Sequence, residues 1–102
     1  MMKSKRSKAC DISRKVKDIV WERDEERCII CGSRYAMPNA HYIPRSQGGL
    51  GVEENIVTLC FSCHQMYDQS IERSVIGKRI EKYLKSKYPK WDKTNLIYNK
   101  WG

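Results

Sequence analysis

The apolar residues of this chain recur at helical spacing in two segments, one near its start and one after its middle. In the first segment, positions i, i+4, i+7 and i+8 are Ile12, Val16, Ile19 and Val20. In the second segment the same positions are Ile76, Ile80, Tyr83 and Leu84. Because such residues share one face of a helix, the pattern predicts an amphipathic helix over residues 11–26, capped by Asp11, and another over residues 71–88.

The segment between these helices has the pattern of a short hairpin followed by a short helix. Residues 40–43 form an apolar stretch that Pro44 closes, and residues 55–59 are rich in β-branched side chains. Three glycines within residues 48–51 predict a loop between the two strands. Residues 60–69 are expected to be helical, so the predicted fold class is α+β, with helices on either side of the hairpin.

The two ends of the chain differ from its centre. Residues 1–10 have no periodic apolar pattern, which predicts a disordered basic arm. Residues 91–101 contain two Trp and Tyr98, and we expect them to fold back because such rings are seldom left in water without a partner. The predicted organisation is therefore an arm over 1–10, a domain over 11–70, and a basic helix with an aromatic tail over 71–102 packed on that domain.

The charge of the chain is unevenly distributed. Its 20 Lys and Arg outnumber its 12 Asp and Glu, for a formal charge of +8. Residues 1–9 carry +4 and residues 72–102 carry +6, which leaves −2 between them. Two basic flanks around a near-neutral centre suit a polyanion held at its edges, although lysines that only solvate exposed faces would give the same count.

The expected cellular compartment of the protein follows from two features that the sequence lacks. No run approaches the roughly 18 apolar residues of a membrane span, and the first residues lack the apolar stretch of a secretion signal. We therefore expect an intracellular, cytoplasmic protein without a membrane partner. Thiols stay reduced there, so paired cysteines bind metals more often than they form disulfides.

Four of the five cysteines fall into two matched pairs, Cys28-x-x-Cys31 and Cys60-x-x-Cys63. Two intervening residues let both sulfurs of a pair reach one tetrahedral ion at about 2.3 Å, and two pairs complete a closed zinc site. A redox pair would need no second copy, and four core cysteines would not fall in matched pairs. The pattern predicts a structural Zn²⁺ that joins the two ends of the hairpin, with Cys10 left as a free thiol in the arm.

The only two histidines lie beside this predicted zinc site. His64 and Asp68 are four positions apart, so on a helix they project from one face and can chelate one divalent ion. His41 and Asn55 lie on the two predicted strands. An imidazole that faces a helix-borne metal is an arrangement for hydrolysis, because the ring takes a proton from water while the metal stabilises charge on a phosphate.

These motifs form one ordered set within residues 12–70. In chain order they are Cys28-x-x-Cys31, AHYIPRSQGG at 40–49, Glu54-Asn55 and Leu59-Cys60-x-x-Cys63-His64. The set resembles the HNH endonuclease family, in particular small phage and prophage members with a four-cysteine zinc site. The resemblance implies a zinc-stapled ββα-metal (His-Me finger) domain.

The resemblance also implies roles for individual residues. His41 matches the general base that activates water, and Asn55 matches an asparagine that braces the hairpin. His64 matches a ligand of the catalytic divalent cation, and Asp68 stands where several relatives have a further ligand. The implied cation is Mg²⁺, Mn²⁺ or Ni²⁺.

One position departs from the family pattern. Most members have Asp or His before the base as a metal ligand, but this chain has Ala40. Because the helix offers only His64 and Asp68 to the ion, Asp or His introduced at residue 40 is expected to tighten divalent-ion binding. A second alignment would make His41 the ligand and Tyr42 the base, although the spacing to the following motif favours the first.

The leading hypothesis is a metal-dependent DNA endonuclease of low sequence specificity. Its alternative is a non-catalytic, zinc-stapled DNA-binding accessory module, and a RING-like or ribbon-like interaction module explains neither His41 nor the charge. DNA contacts are expected mostly at phosphates, through Arg45, Lys78, Lys82 and Lys85. The resemblance further implies a bacterial or phage-infected host, and the phage large terminase as a partner in genome processing or packaging.

Overall fold

A two-stranded antiparallel hairpin lies at the centre of the computed structural model, which describes residues 4–99, and helices pack around it. The elements in chain order are α1 (Lys5–Cys10), α2 (Arg14–Arg23), β1 (Ala36–His41), β2 (Ile56–Cys60), α3 (Phe61–Gln69) and α4 (Arg73–Lys87). Two short 3-10 turns follow β1 and α4, at Arg45–Gln47 and Lys93–Leu96. The α+β class predicted from the sequence is therefore confirmed, and none of the helices within residues 4–99 has the length and apolarity needed to cross a bilayer.

The hairpin is irregular at one point and buried along its second strand. Ala40 pairs with Val57 and Met37 pairs with Leu59, so the register shifts between them and bends β1. All five residues of β2 are buried. A fully buried strand explains why residues 56–60 form an apolar run without polar alternation.

The second helix begins two residues later than the sequence pattern predicts. The cap is Ser13, whose hydroxyl oxygen accepts a hydrogen bond from the amide of Val16, and not Asp11. Asp11 instead forms an ion pair with Arg45 at 2.9 Å. The helix ends at Asp24, whose buried carboxylate accepts a hydrogen bond from the amide of Thr58 and so ties α2 to β2.

The expectation of a disordered arm over residues 1–10 is wrong for the part of it that the structure describes. Residues 5–10 form α1, which Ser4 caps by accepting a hydrogen bond from the amide of Ser7. Cys10 is buried, and the carbonyl of Ala9 accepts a hydrogen bond from the amide of Gly51. Docking against the body of the protein stabilises this short helix, which local propensity alone would leave unformed.

The last helix completes the core, and residues 91–96 after it pack against the rest of the protein. Ile76, Ile80 and Leu84 of α4 are buried in the cluster that also contains the inner residues of the hairpin. Beyond α4, the indole of Trp91 donates a hydrogen bond to the carbonyl of Glu54, and Leu96 is buried. Trp101, which also belongs to the predicted aromatic tail, lies outside the described residues.

Candidate functional site

The four paired cysteines converge at one end of the hairpin. Cys28 and Cys31 lie on a turn that Gly32 closes with a φ of 80°, whereas Cys60 ends β2 and Cys63 lies in the first turn of α3. Their four sulfurs lie within 4.8 Å of one another. Ligands placed tetrahedrally at about 2.3 Å from zinc are about 3.8 Å apart, so the cluster fits a structural zinc ion.

The thiol of Cys28 ionises more readily than an ordinary cysteine thiol, because its pKa is lowered. Burial alone would raise the pKa of Cys28, but hydrogen bonds from the backbone amides of residues 31, 60 and 30 outweigh it and lower the pKa to about 7. Zinc binds thiolates and releases their protons on binding.

A groove of about 460 Å³ opens between β1 and α3, and three of the four residues predicted for the catalytic site line it. We call it the histidine groove. Its polar lining includes Asn39, His41, Arg45, His64, Asp68 and Arg73. The structure thus brings together three of the predicted site residues from β1 and α3 with one predicted DNA contact, Arg45.

His41 ends β1 with its ring half-buried at the groove. Its Nε2 lies 2.9 Å from the carbonyl oxygen of Cys10. Since a carbonyl can only accept, Nε2 carries the proton and donates, and in the neutral ring Nδ1 keeps the lone pair. Burial lowers the pKa of His41, the Cys10 carbonyl opposes that effect, and the positive charge of Arg45 adds to it. The ring is therefore set up to be neutral, with Nδ1 as a proton acceptor.

His64 and Asp68 form a pair of ligand-type side chains on one face of α3. The Nε2 atom of His64 lies 3.2 Å from an Oδ atom of Asp68, one helical turn away. His64 directly follows the zinc-cluster residue Cys63, so the cluster holds the start of the helix that presents the pair. One imidazole nitrogen and one carboxylate are donors that suit a borderline or hard divalent cation.

Asn55 lies behind the groove and not in its lining. It is fully buried, and its Oδ1 accepts a hydrogen bond of 2.8 Å from the amide of Ile43. Its Nδ2 donates to the carbonyls of Ile43 and Leu50. The amide thereby holds both ends of the loop that carries Arg45.

Two groove residues lie outside the motifs identified from the sequence. Arg73, at the start of α4, lines the groove and lies over the ring of Tyr67 at 5.2 Å. Asn39 also lines the groove, two positions before His41. The two-residue period of a strand could have indicated Asn39, but nothing local to Arg73 separates it from the other basic residues of its segment.

The three lysines predicted to contact DNA lie exposed on α4 and outside the lining of the histidine groove. Lys78 lines a neighbouring depression that shares Arg73 with the groove. Lys85 forms an ion pair with Glu81 at 3.0 Å and lies 5.8 Å from the centre of the Trp91 ring. A phosphate contact by Lys85 would therefore compete with partners it already has, whereas Lys78 and Lys82 form no ion pair or ring contact within residues 4–99.

Ala40 does not face the histidine groove, which corrects the expectation that residue 40 is open to the ion. Its side chain is fully buried in the core, in the cluster that includes Val57 and Leu59. Tyr42 points elsewhere too, since its hydroxyl donates a hydrogen bond of 2.9 Å to Glu81 and its ring packs edge-on against Trp91. The phenol of Tyr42 therefore lies outside the groove that His41 lines.

Comparison with known proteins gives a match to a family model and to a known protein. Residues 28–70 match the family model described as HNH endonuclease. The chain is 36% identical over 55 residues to anaredoxin of Nostoc sp. strain PCC 7120, and the alignment covers 53% of this chain and 72% of anaredoxin. No solved structure matches the chain.

Proposed function

This chain belongs to the HNH endonuclease family, and on that premise we propose that it is a metal-dependent DNA endonuclease that hydrolyses phosphodiester bonds with low sequence specificity. The observation that carries the proposal is the histidine groove. A half-buried imidazole, a His–Asp pair of ligand type and two arginines line the same opening. Metal-assisted phosphodiester hydrolysis needs a base, a cation site and positive charge for the phosphate in one place.

His41 is the general base in this mechanism. Its Nδ1 takes the proton of the attacking water, while the proton on Nε2 stays on the ring and is donated in a hydrogen bond to the Cys10 carbonyl. Arg45 and Arg73, both exposed at the groove, offset the negative charge of the bound strand. Asn55 lies behind the groove and acts indirectly, because its hydrogen bonds hold the loop that carries Arg45.

His64 and Asp68 are the residues that would hold the catalytic cation. Mg²⁺, Mn²⁺ or Ni²⁺ bound there would stabilise negative charge on the phosphate and on the departing oxygen. Two side-chain ligands leave most of the shell to water and DNA phosphate, which suits Mg²⁺ in particular. The four-cysteine cluster has a different task, since four thiolates close the zinc shell and leave no open position for chemistry.

The biological setting is a further part of the proposal. Paired, unbridged cysteines suit the cytoplasm of a bacterium or of a phage-infected host. Action beside a phage large terminase in genome processing or packaging rests on the resemblance to small phage proteins alone. A pull-down of purified terminase by this protein tests it separately from nuclease activity.

Incubation of the zinc-loaded protein with supercoiled plasmid and Mg²⁺, Mn²⁺ or Ni²⁺ tests the activity. We expect nicked or linear DNA from the parent, and a rate at least ~100-fold lower from His41→Ala, since loss of a general base costs about that much or more. Gln65→Ala is the matched control, because Gln65 is exposed on the same helix beside His64 and outside the groove lining. Cleavage by His41→Ala at the parental rate would remove the base role from His41.

The non-catalytic DNA-binding module makes a different prediction in the same assay. The zinc cluster and the basic flanks would then support binding, but no divalent cation would produce cleavage by the parent. What favours the nuclease is that His41, His64 and Asp68 share one groove, a convergence for which a pure binding module has no use.

A further inference from the structure

The C-terminal end of α1, which lies outside the family match, contacts two residues that line the histidine groove. The carbonyl oxygen of Cys10 accepts two hydrogen bonds, one from His41 Nε2 and one from Arg45 Nη1, both at 2.9 Å. The next residue, Asp11, forms an ion pair of 2.9 Å with the other terminal nitrogen of Arg45. The last turn of α1 therefore contacts the imidazole and the arginine of the groove at the same time.

Close backbone packing against Gly51 holds this end of α1 in place. The amide of Gly51 donates a hydrogen bond of 2.9 Å to the carbonyl of Ala9. A Cβ atom at residue 51 would lie 1.9 Å from the carbonyl oxygen of Asp11 and 3.0 Å from that of Cys10. Any other residue at position 51 must therefore displace the backbone that bears the carbonyl facing His41.

A second set of contacts anchors the start of the helix. The guanidinium of Arg6 donates to the carbonyl of Ser46 at 3.1 Å, in the same loop as Arg45. Cys10 is buried, at 2% exposure, so both a polar contact and the burial of an apolar side chain hold α1 against the rest of the protein.

We propose that α1 and Asp11 are a positioning element of the active site, which holds the His41 imidazole as the Nε2–H tautomer and thereby keeps Nδ1 as the proton acceptor. Without the Cys10 carbonyl, the ring is free to adopt either tautomer and to rotate. A ring whose Nδ1 carries the proton cannot accept one there. The catalytic meaning of this element rests on the proposed nuclease function, but its effect on the tautomer does not.

Gly51→Ala in the full chain tests the proposal by NMR of ¹⁵N-labelled imidazoles, in zinc-loaded protein without a further divalent cation. The chain has two histidines, and a His64→Gln variant assigns the resonances. We expect a single Nε2–H tautomer of His41 in the parent and a mixture in Gly51→Ala. In the plasmid assay kcat should fall ~10-fold or more with KM for DNA changed less than ~3-fold, because orientation of the base is lost while the basic surface is kept.

A matched pair of cap variants covers the case in which Gly51→Ala does not fold. Ser4→Ala removes the N-cap of α1, and Ser13→Ala removes the equivalent N-cap of α2, each a single hydrogen bond of 3.1 Å to a backbone amide. Ser4→Ala should shift the His41 tautomer toward a mixture, and Ser13→Ala should leave it unchanged.

Three results would overturn the proposal: a parent ring that already populates both tautomers, a folded Gly51→Ala with an unchanged tautomer, or equal responses to Ser4→Ala and Ser13→Ala. A parent protein that cleaves no DNA would contradict the nuclease proposal instead. The NMR measurement would still decide whether α1 sets the tautomer.

Discussion

Asn55 binds both polar backbone atoms of Ile43. The amide of Ile43 donates to Asn55 Oδ1 at 2.8 Å, and Asn55 Nδ2 donates to the carbonyl of Ile43 at 3.2 Å. Asn55 is fully buried, so no water replaces these bonds if the side chain is lost. Ile43, the second residue beyond β1, is therefore held by a side chain twelve positions further along the chain.

Asn55→Ala should lower the free energy of unfolding by about 2–4 kcal/mol, because it leaves a buried amide and buried carbonyls without partners. Urea denaturation followed by circular dichroism measures the change. Asn95→Ala, at an exposed position, is the control and should change stability by less than about 0.5 kcal/mol. A similar loss in both variants would contradict the bracing role of Asn55.

Removal of zinc should unfold the protein. The hydrophobic core formed by residues 4–99 is small. The four-cysteine cluster joins the turn at Cys28 to the junction of β2 and α3. Because metal binding and folding are coupled in such domains, a strong chelator should lower the melting temperature sharply. Metal analysis should find one zinc per chain in the parent and in Cys10→Ser, and less in Cys63→Ser. A melting temperature that does not respond to the chelator would refute the prediction.

Ala40→Asp should destabilise the fold without tightening divalent-ion binding, because the new carboxylate would be buried in the apolar core. We expect a loss of several kcal/mol, about 3 or more, in urea denaturation. Asn39→Asp is the matched variant, since it adds the same carboxylate to the groove lining. Calorimetry with Mn²⁺ should show tighter binding for Asn39→Asp. Tighter binding by Ala40→Asp would mean that residue 40 reaches the ion after all.

The protein should lose stability above about pH 10. Burial, and then the hydrogen bond to Asp24, raise the pKa of Tyr83 well above its ordinary value of about 10. Below that value the phenol is protonated in both states; above it the unfolded chain ionises first, so the stabilisation is progressively lost as pH rises toward the folded-state pKa. Tyr83→Phe should be less stable than the parent at neutral pH. Between about pH 9 and 11 it should lose less stability than the parent does.

Tyr35→Phe is the control for the alkaline prediction, because the Tyr35 side chain is 92% exposed. Its stability should follow pH as the parent does. An identical alkaline slope for Tyr83→Phe and Tyr35→Phe would assign the loss of stability to other groups.

The double variant Lys78→Ala, Lys82→Ala should weaken DNA binding and flatten its salt dependence. If each lysine neutralises one phosphate, the slope of log affinity against log salt falls by about 0.9 per lysine. Both side chains are exposed, so the fold should be kept. Lys15→Ala, Lys17→Ala on α2 is the matched control and should leave the slope unchanged. An unchanged slope in the α4 variant would mean that these lysines only solvate the surface.

Much of the architecture could be predicted because its signals are local. The two cysteine pairs have the spacing of zinc ligands, and the apolar spacing around Ile80 is that of a helix face, so neither needs knowledge of the rest of the chain. The order of the elements from α2 to α4 follows from the same kind of pattern, whereas α1 was not predicted. The predicted boundaries were less accurate at α2, where Ser13 rather than Asp11 supplies the cap, and at β1, which spans Ala36–His41 and not residues 40–43.

The sequence by itself determined the two cysteine pairs, the strand-forming segments and the placement of His64 and Asp68 on one helix face, because each depends on residue spacing along one turn, strand or helix. Only the tertiary structure decided that Ala40 is turned into the core, that Arg73 reaches the groove and that the Cys10 carbonyl binds His41. Cys10 and His41 are 31 positions apart, and their contact exists because Gly51 lets two backbone segments approach. Such contacts depend on how separate elements pack, and no periodicity within one element encodes that.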